Sequence, residues 1–182
     1  DLIISRFGDW DGRRMSSILS RRSQDGKEAW RVSSREIGAG KVVARKGLLY
    51  LSGYTSETVS IPVVRSFFAD GRTRWITRLS EYPDYAIDDI AEVTSGVLVI
   101  LYPQLVEGDF ASAKLLHIDD TGKSHPVTEF DVGSRRPLFG GGSRIRVTPT
   151  HIYVSMTYGQ RLDPSLRRRG AFGMPERCTI ND

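Results

Sequence analysis

A tight-turn signal that returns at nearly constant spacing constrains this chain more than any other feature. Gln24-Asp25-Gly26-Lys27, Ala69-Asp70-Gly71-Arg72 and Asp120-Thr121-Gly122-Lys123 place their glycines 45 and 51 residues apart. Each glycine tolerates the positive φ that a two-strand turn demands. A period of this length is that of four-stranded repeat units. In the first two units a tryptophan follows four residues after the glycine, at Trp30 and Trp75, and in the third that place holds Pro126.

A second pattern repeats in step with the first. Lys41 to Leu51, Ile90 to Leu101 and Arg144 to Val154 each read as two short apolar, β-branched strands around a turn. Continuous apolar runs bounded by turns suit strands buried on both faces. No segment carries an i, i+3, i+4, i+7 stripe of helical length. Each unit therefore reads as an inner strand, a tight turn, a second strand, a long loop, a third strand, the glycine turn and an outer strand. Third strands are expected over 16–22, 63–69 and 114–119, and outer strands over 28–33, 73–79 and 124–130. The chain starts at a second strand over 2–6 and its last patterned strand covers 152–157. The expectation is an all-β chain, a β-propeller-type repeat of four-stranded antiparallel blades forming an incomplete ring. About three blades occupy 1–157, with an irregular tail over 158–182.

The turn-and-tryptophan segments Asp25-Gly26-Lys27-Glu28-Ala29-Trp30, Asp70-Gly71-Arg72-Thr73-Arg74-Trp75 and Thr121-Gly122-Lys123 resemble those of quinoprotein-like (PQQ-like repeat) β-propellers. The resemblance covers roughly residues 1–157 and implies that the tryptophans pack between neighbouring blades. It also implies that the chain is part of a longer propeller or completes a ring through partners. Members of that family that are dehydrogenases hold a quinone over calcium with carboxylate, Asn and Trp contacts, and no set of residues here matches that constellation. Other members are noncatalytic and bind proteins through loops.

Charge excludes little. The 26 basic residues exceed the 22 acidic ones by only four, so the pI near 9.4 does not call for a nucleic-acid partner. The single cysteine, Cys178, rules out an internal disulfide and a thiolate-rich metal site. No apolar run approaches the ~20 residues of a bilayer span. No secretory leader is legible at Asp1-Leu2-Ile3-Ile4, and the compartment stays open.

Candidate chemistry is sparse. His117, His125 and His151 stand singly, without HxH or HExxH spacing, and read as ordinary strand residues. Asp9-Trp10-Asp11-Gly12 starts like a calcium loop, but Arg13 and Arg14 stand where further oxygen ligands belong. Asp84, Asp88 and Asp89 form an acidic group read as a solvated loop. Gly140-Gly141-Gly142 precedes a strand, not a helix, and reads as a flexible link. Arg167-Arg168-Arg169-Gly170 falls in the tail and reads as peripheral. No cofactor is assigned.

The loops carry the functional expectation. Connections over 7–14, 34–40, 53–62, 81–88, 103–113 and 133–143 are long, and up-and-down alternation puts them at one end of the sheets. Long loops on a rigid scaffold are where binding residues concentrate. They carry Trp10, Tyr54, Tyr82, Tyr85, Phe110, Arg135, Arg136 and Phe139, of types enriched at interface hot spots. Two readings stand side by side, a protein-binding surface or side chains that cap the sheet ends. The preferred expectation is a noncatalytic binding or scaffolding module that takes a protein partner or self-associates. The alternative is part of a quinone- or metal-dependent propeller enzyme.

Overall fold

The computed structural model describes residues 2–10, 15–34, 38, 40–55, 60–83, 85–104, 112–131, 142–155 and 176–178. All regular structure among them is β. The strands are β1 (Leu2–Trp10), β2 (Met15–Arg22), β3 (Glu28–Ser34), β4 (Val42–Arg45), β5 (Leu48–Tyr54), β6 (Pro62–Phe68) and β7 (Thr73–Arg78). They continue as β8 (Tyr85–Val93), β9 (Gly96–Pro103), β10 (Ser112–Asp119), β11 (Ser124–Asp131), β12 (Arg144–Val147), β13 (Ile152–Ser155) and β14 (Glu176–Cys178).

These strands form four antiparallel meanders in chain order: β1-β2-β3, β4-β5-β6-β7, β8-β9-β10-β11 and β12-β13-β14. We refer to them as the first to fourth sheets. Two are four-stranded and the outer two are three-stranded, so the repeat inferred from the turn spacing is the repeat of the fold. Among the described residues the neighbours of β13 are β12 and β14, and β1 pairs only with β2, so the sheets there stay open and fit an incomplete propeller-like arrangement. β14 lies within the stretch expected to be an irregular tail. It pairs Cys178 with Ile152 and Glu176 with Val154.

The core lies between successive sheets. β9 is buried along its whole length, as its run of Val, Leu, Ile and Tyr requires. Alternation divides that strand between two interfaces. Val97, Val99 and Leu101 pack with Tyr50, Val64 and Leu79 toward the second sheet. Leu98, Ile100 and Tyr102 pack with Leu115, Phe130 and Val154 toward the fourth. A third cluster, Leu19, Leu49, Leu51 and Phe67, joins the first sheet to the second. Burial of each such aliphatic side chain contributes about 1.5–3 kcal/mol.

The glycine turns are where one sheet grips the next. The ring of Trp30 lies over Gly71, where an added Cβ would stand 2.8 Å from the indole, and its Nε1–H donates to the Ala69 carbonyl at 2.8 Å. Trp75 repeats the arrangement one unit on. A Cβ at Gly122 would stand 3.0 Å from its ring, and its Nε1–H donates to the Asp120 carbonyl at 3.1 Å. Tyr50 backs Trp75 at a centroid distance of 5.9 Å, and the hydroxyl of Thr77 donates to the Gly122 carbonyl. Glycine is needed at these turns twice over: φ is +86° at Gly71 and +88° at Gly122, and the indole leaves no room for a side chain.

The inner strands are joined by a carboxylate. Asp89, 7% exposed on β8, accepts from Lys41 Nζ at 2.8 Å and from the Ile145 amide at 2.7 Å. Asp88 accepts from the Ser143 amide, and its own carbonyl accepts from Lys41 Nζ. The expectation of a solvated acidic loop is therefore overturned for these two residues. β8 starts at Tyr85, and the aspartates sit in it where their strand meets the approaches to β4 and β12. Asp84 lies outside the described residues.

Candidate functional site

The structure brings only part of the expected loop end into view. Tyr54 closes β5 and is 40% exposed. Its ring covers Gly38, where a Cβ would meet the ring at 2.6 Å, and the Gly38 amide donates to the Tyr54 carbonyl at 2.7 Å. The absence of a side chain at Gly38 thus lets the ring lie directly over that residue at the strand end.

Tyr82, between β7 and β8, and Tyr85, the first residue of β8, stand at the same end. Backbone bonds from Tyr82 to Leu79 at 2.9 Å and from Tyr85 to Tyr82 at 3.2 Å fold the connection into successive tight turns. The two rings meet edge to face, with centroids 5.7 Å apart and planes at 74°. Both are half-buried against the cluster between the second and third sheets. Burial, followed by the charge of Glu81, pushes the Tyr82 phenol up. This pair seals a sheet end, while Tyr54 presents its ring to solvent.

One connection is shorter than the sequence implies. β1 runs to Trp10 and β2 begins at Met15, which pairs with it, so the expected loop over 7–14 narrows to 11–14. The backbone of Trp10 is in β1, and its side chain lies outside the described residues, as do Phe110, Arg135, Arg136 and Phe139. The triglycine segment is described only at Gly142, and the Arg167-Arg168-Arg169 run falls outside as well.

The opposite end holds a group that the sequence did not connect. His117, His125 and His151, distant in sequence and lacking any metal-type spacing, all line one cavity of about 330 Å³ between the third and fourth sheets. The rings of His117 and His125 stack at 6.1 Å with planes 29° apart. His117 Nε2–H donates to the Ser95 carbonyl at 3.1 Å, and His125 Nε2 pairs with Asp119 Oδ2 at 3.0 Å. His151 Nδ1 shares a hydrogen bond with the Thr150 hydroxyl at 2.8 Å. Among the described residues no three His, Cys, Asp or Glu side chains converge so as to hold a metal ion. Cross-strand register, invisible in one sequence, is the signal that links the first two histidines: His117 is directly opposite His125.

Fold and side-chain placement define an all-β repeat protein of open, successive antiparallel sheets, and no helix among its described residues is long and apolar enough to cross a membrane. No protein-family model, curated protein or solved structure matches the chain.

Proposed function

We propose that this chain is a noncatalytic binding or scaffolding module that engages a protein partner through the end of the sheets bearing the longer connections. The observation that carries the reading is Tyr54: a large aromatic, 40% exposed, held at the end of a strand and packed over Gly38, whose amide donates to its carbonyl. An amphipathic ring fixed in this way loses little entropy on binding, which is why tyrosine recurs at interface hot spots. Regular sheets docked through Trp30 and Trp75 supply the stiff support that such a surface needs. The same docking favours the resemblance to quinoprotein-like repeats, and within that resemblance the protein-binding members are the closer analogy.

A photo-crosslinking amino acid at position 54, compared with one at position 72 in a turn at the opposite end, tests the reading. The expected result is a discrete adduct from position 54, which an excess of wild-type chain competes away and an excess of Tyr54→Ala chain does not. Equal adducts from both ends would contradict it. Stoichiometric calcium or a quinone absorbance band in the purified chain would instead favour the competing enzyme reading.

A further inference from the structure

We infer that the cavity between the third and fourth sheets is a binding site for a small planar aromatic molecule of one or two rings. The strand register carries this. In the first sheet Arg21 pairs with Trp30, and in the second Ser66 pairs with Trp75. Arg21 and Ser66 each lie five residues before their turn glycine, and the residue at that place in the third sheet is His117, paired with His125. The rung that carries an indole in two sheets therefore carries an imidazole in the third.

The displacement has a visible cause. In the first two sheets the unpaired bulge residue is the one before the tryptophan, Ala29 and Arg74. In the third it is Val127, and Pro126 pairs with Leu116. A bulge adds one residue to a strand and re-aims its neighbours, so moving it by two positions puts His125 on the rung in place of Pro126. The rung neighbour changes as well: Tyr50, which backs Trp75, is replaced by Leu98. Two large aromatics have given way to a histidine and a leucine, and the cavity opens beside them.

Its walls match a flat ring in size and chemistry. About 330 Å³ lies at the small end of natural ligand pockets, roughly 300–1,000 Å³, and is about twice an engineered cavity known to take benzene. Leu98, Val127, Val147 and Ile152 give apolar walls, and the stacked imidazoles of His117 and His125 add aromatic surface. The Thr94 hydroxyl in the lining is available to one polar substituent or ring N–H, while those of Thr148 and Thr150 are engaged with His151. The site is at the tight-turn end, so it stands independently of the binding surface around Tyr54.

Titrating the full chain with indole, while following its histidine ring resonances by NMR, tests the site. The expected result is saturable shifts of His117, His125 and His151 with a Kd on the order of 1 mM or tighter. Cyclohexanol, of similar bulk but not flat, should bind at least about tenfold more weakly. His125→Trp rebuilds the indole rung, and Thr150→Trp crowds the cavity from an exposed turn; each should weaken indole binding about tenfold or more. If far-UV circular dichroism shows that His125→Trp does not fold, Thr150→Trp decides. Absence of saturable shifts, equal binding of cyclohexanol, or unchanged affinity in the folded variants would overturn the inference.

Discussion

The indole N–H of Trp75 donates to the backbone carbonyl of Asp120, 45 residues further along the chain and in the turn of the following sheet. Trp30 stands in the same relation to Ala69. A short repeat element thus joins the first sheet to the second, and the second to the third, by one hydrogen bond and one face of an aromatic ring.

Both tryptophans are half-buried, and Trp75 has the richer surroundings, with Tyr50 and the core between the second and third sheets against it. Trp75→Ala should cost about 2–4 kcal/mol, and Trp30→Ala about half as much. Denaturant unfolding monitored by far-UV circular dichroism checks the order. Equal losses would mean that the contact with Tyr50 adds nothing.

Asp89 joins three segments through one buried carboxylate, and Lys41, its charged partner, is 41% exposed at the side chain. Asp89→Ala strands the Ile145 amide and should cost about 2–3 kcal/mol. Lys41→Ala leaves the carboxylate its backbone donor and should cost about 1 kcal/mol. A larger loss from the lysine variant would show that the ion pair, not the backbone clasp, holds the inner strands.

Asp119 ties its own turn together. Its carboxylate accepts from the Thr121 hydroxyl at 2.6 Å and from the Thr121 and Lys123 amides at 2.8 and 3.0 Å. The Thr121 hydroxyl, followed by His125, holds its carboxyl well below the ordinary carboxylate range. A depressed folded-state pKa stabilises the fold above the unfolded-state value, near 4, and that stabilisation is lost as pH falls toward the folded-state value. Asp119→Asn should therefore flatten the stability profile below about pH 4 and leave its shape near neutrality unchanged. Urea midpoints measured from pH 2 to pH 7 give the comparison, and an unchanged acid limb would contradict the assignment.

The repeat was legible in the sequence because turn glycines and apolar runs are local signals. Gly26, Gly71 and Gly122 mark the turns before the outer strands, and the apolar stretch Gly96 to Tyr102 marks the most buried strand. What escaped depends on pairings between distant strands. Asp88 and Asp89 look like loop carboxylates until Ser143 and Ile145 are placed beside them. His125 looks like a neighbour of the equivalent position, not its occupant, because a single sequence does not reveal which residue of β11 is bulged. At the loop end the sequence left two readings open, a binding surface or side chains that cap the sheet ends, because exposure is not a local signal: Tyr82 and Tyr85 pack edge to face at a junction, and Tyr54 is 40% exposed.

The docking of each tryptophan onto the next turn is tested most directly by hydrogen exchange of the indole N–H groups, followed by NMR in the wild-type chain and in Gly71→Ala and Gly122→Ala. Both indole protons should be protected in the wild type. Gly71→Ala should expose the Trp30 proton and spare that of Trp75, and Gly122→Ala should do the reverse, because an added Cβ would stand 2.8 Å from the first ring and 3.0 Å from the second. Rapid exchange of both protons in the wild type, or loss of protection that ignores which glycine was changed, would contradict the account.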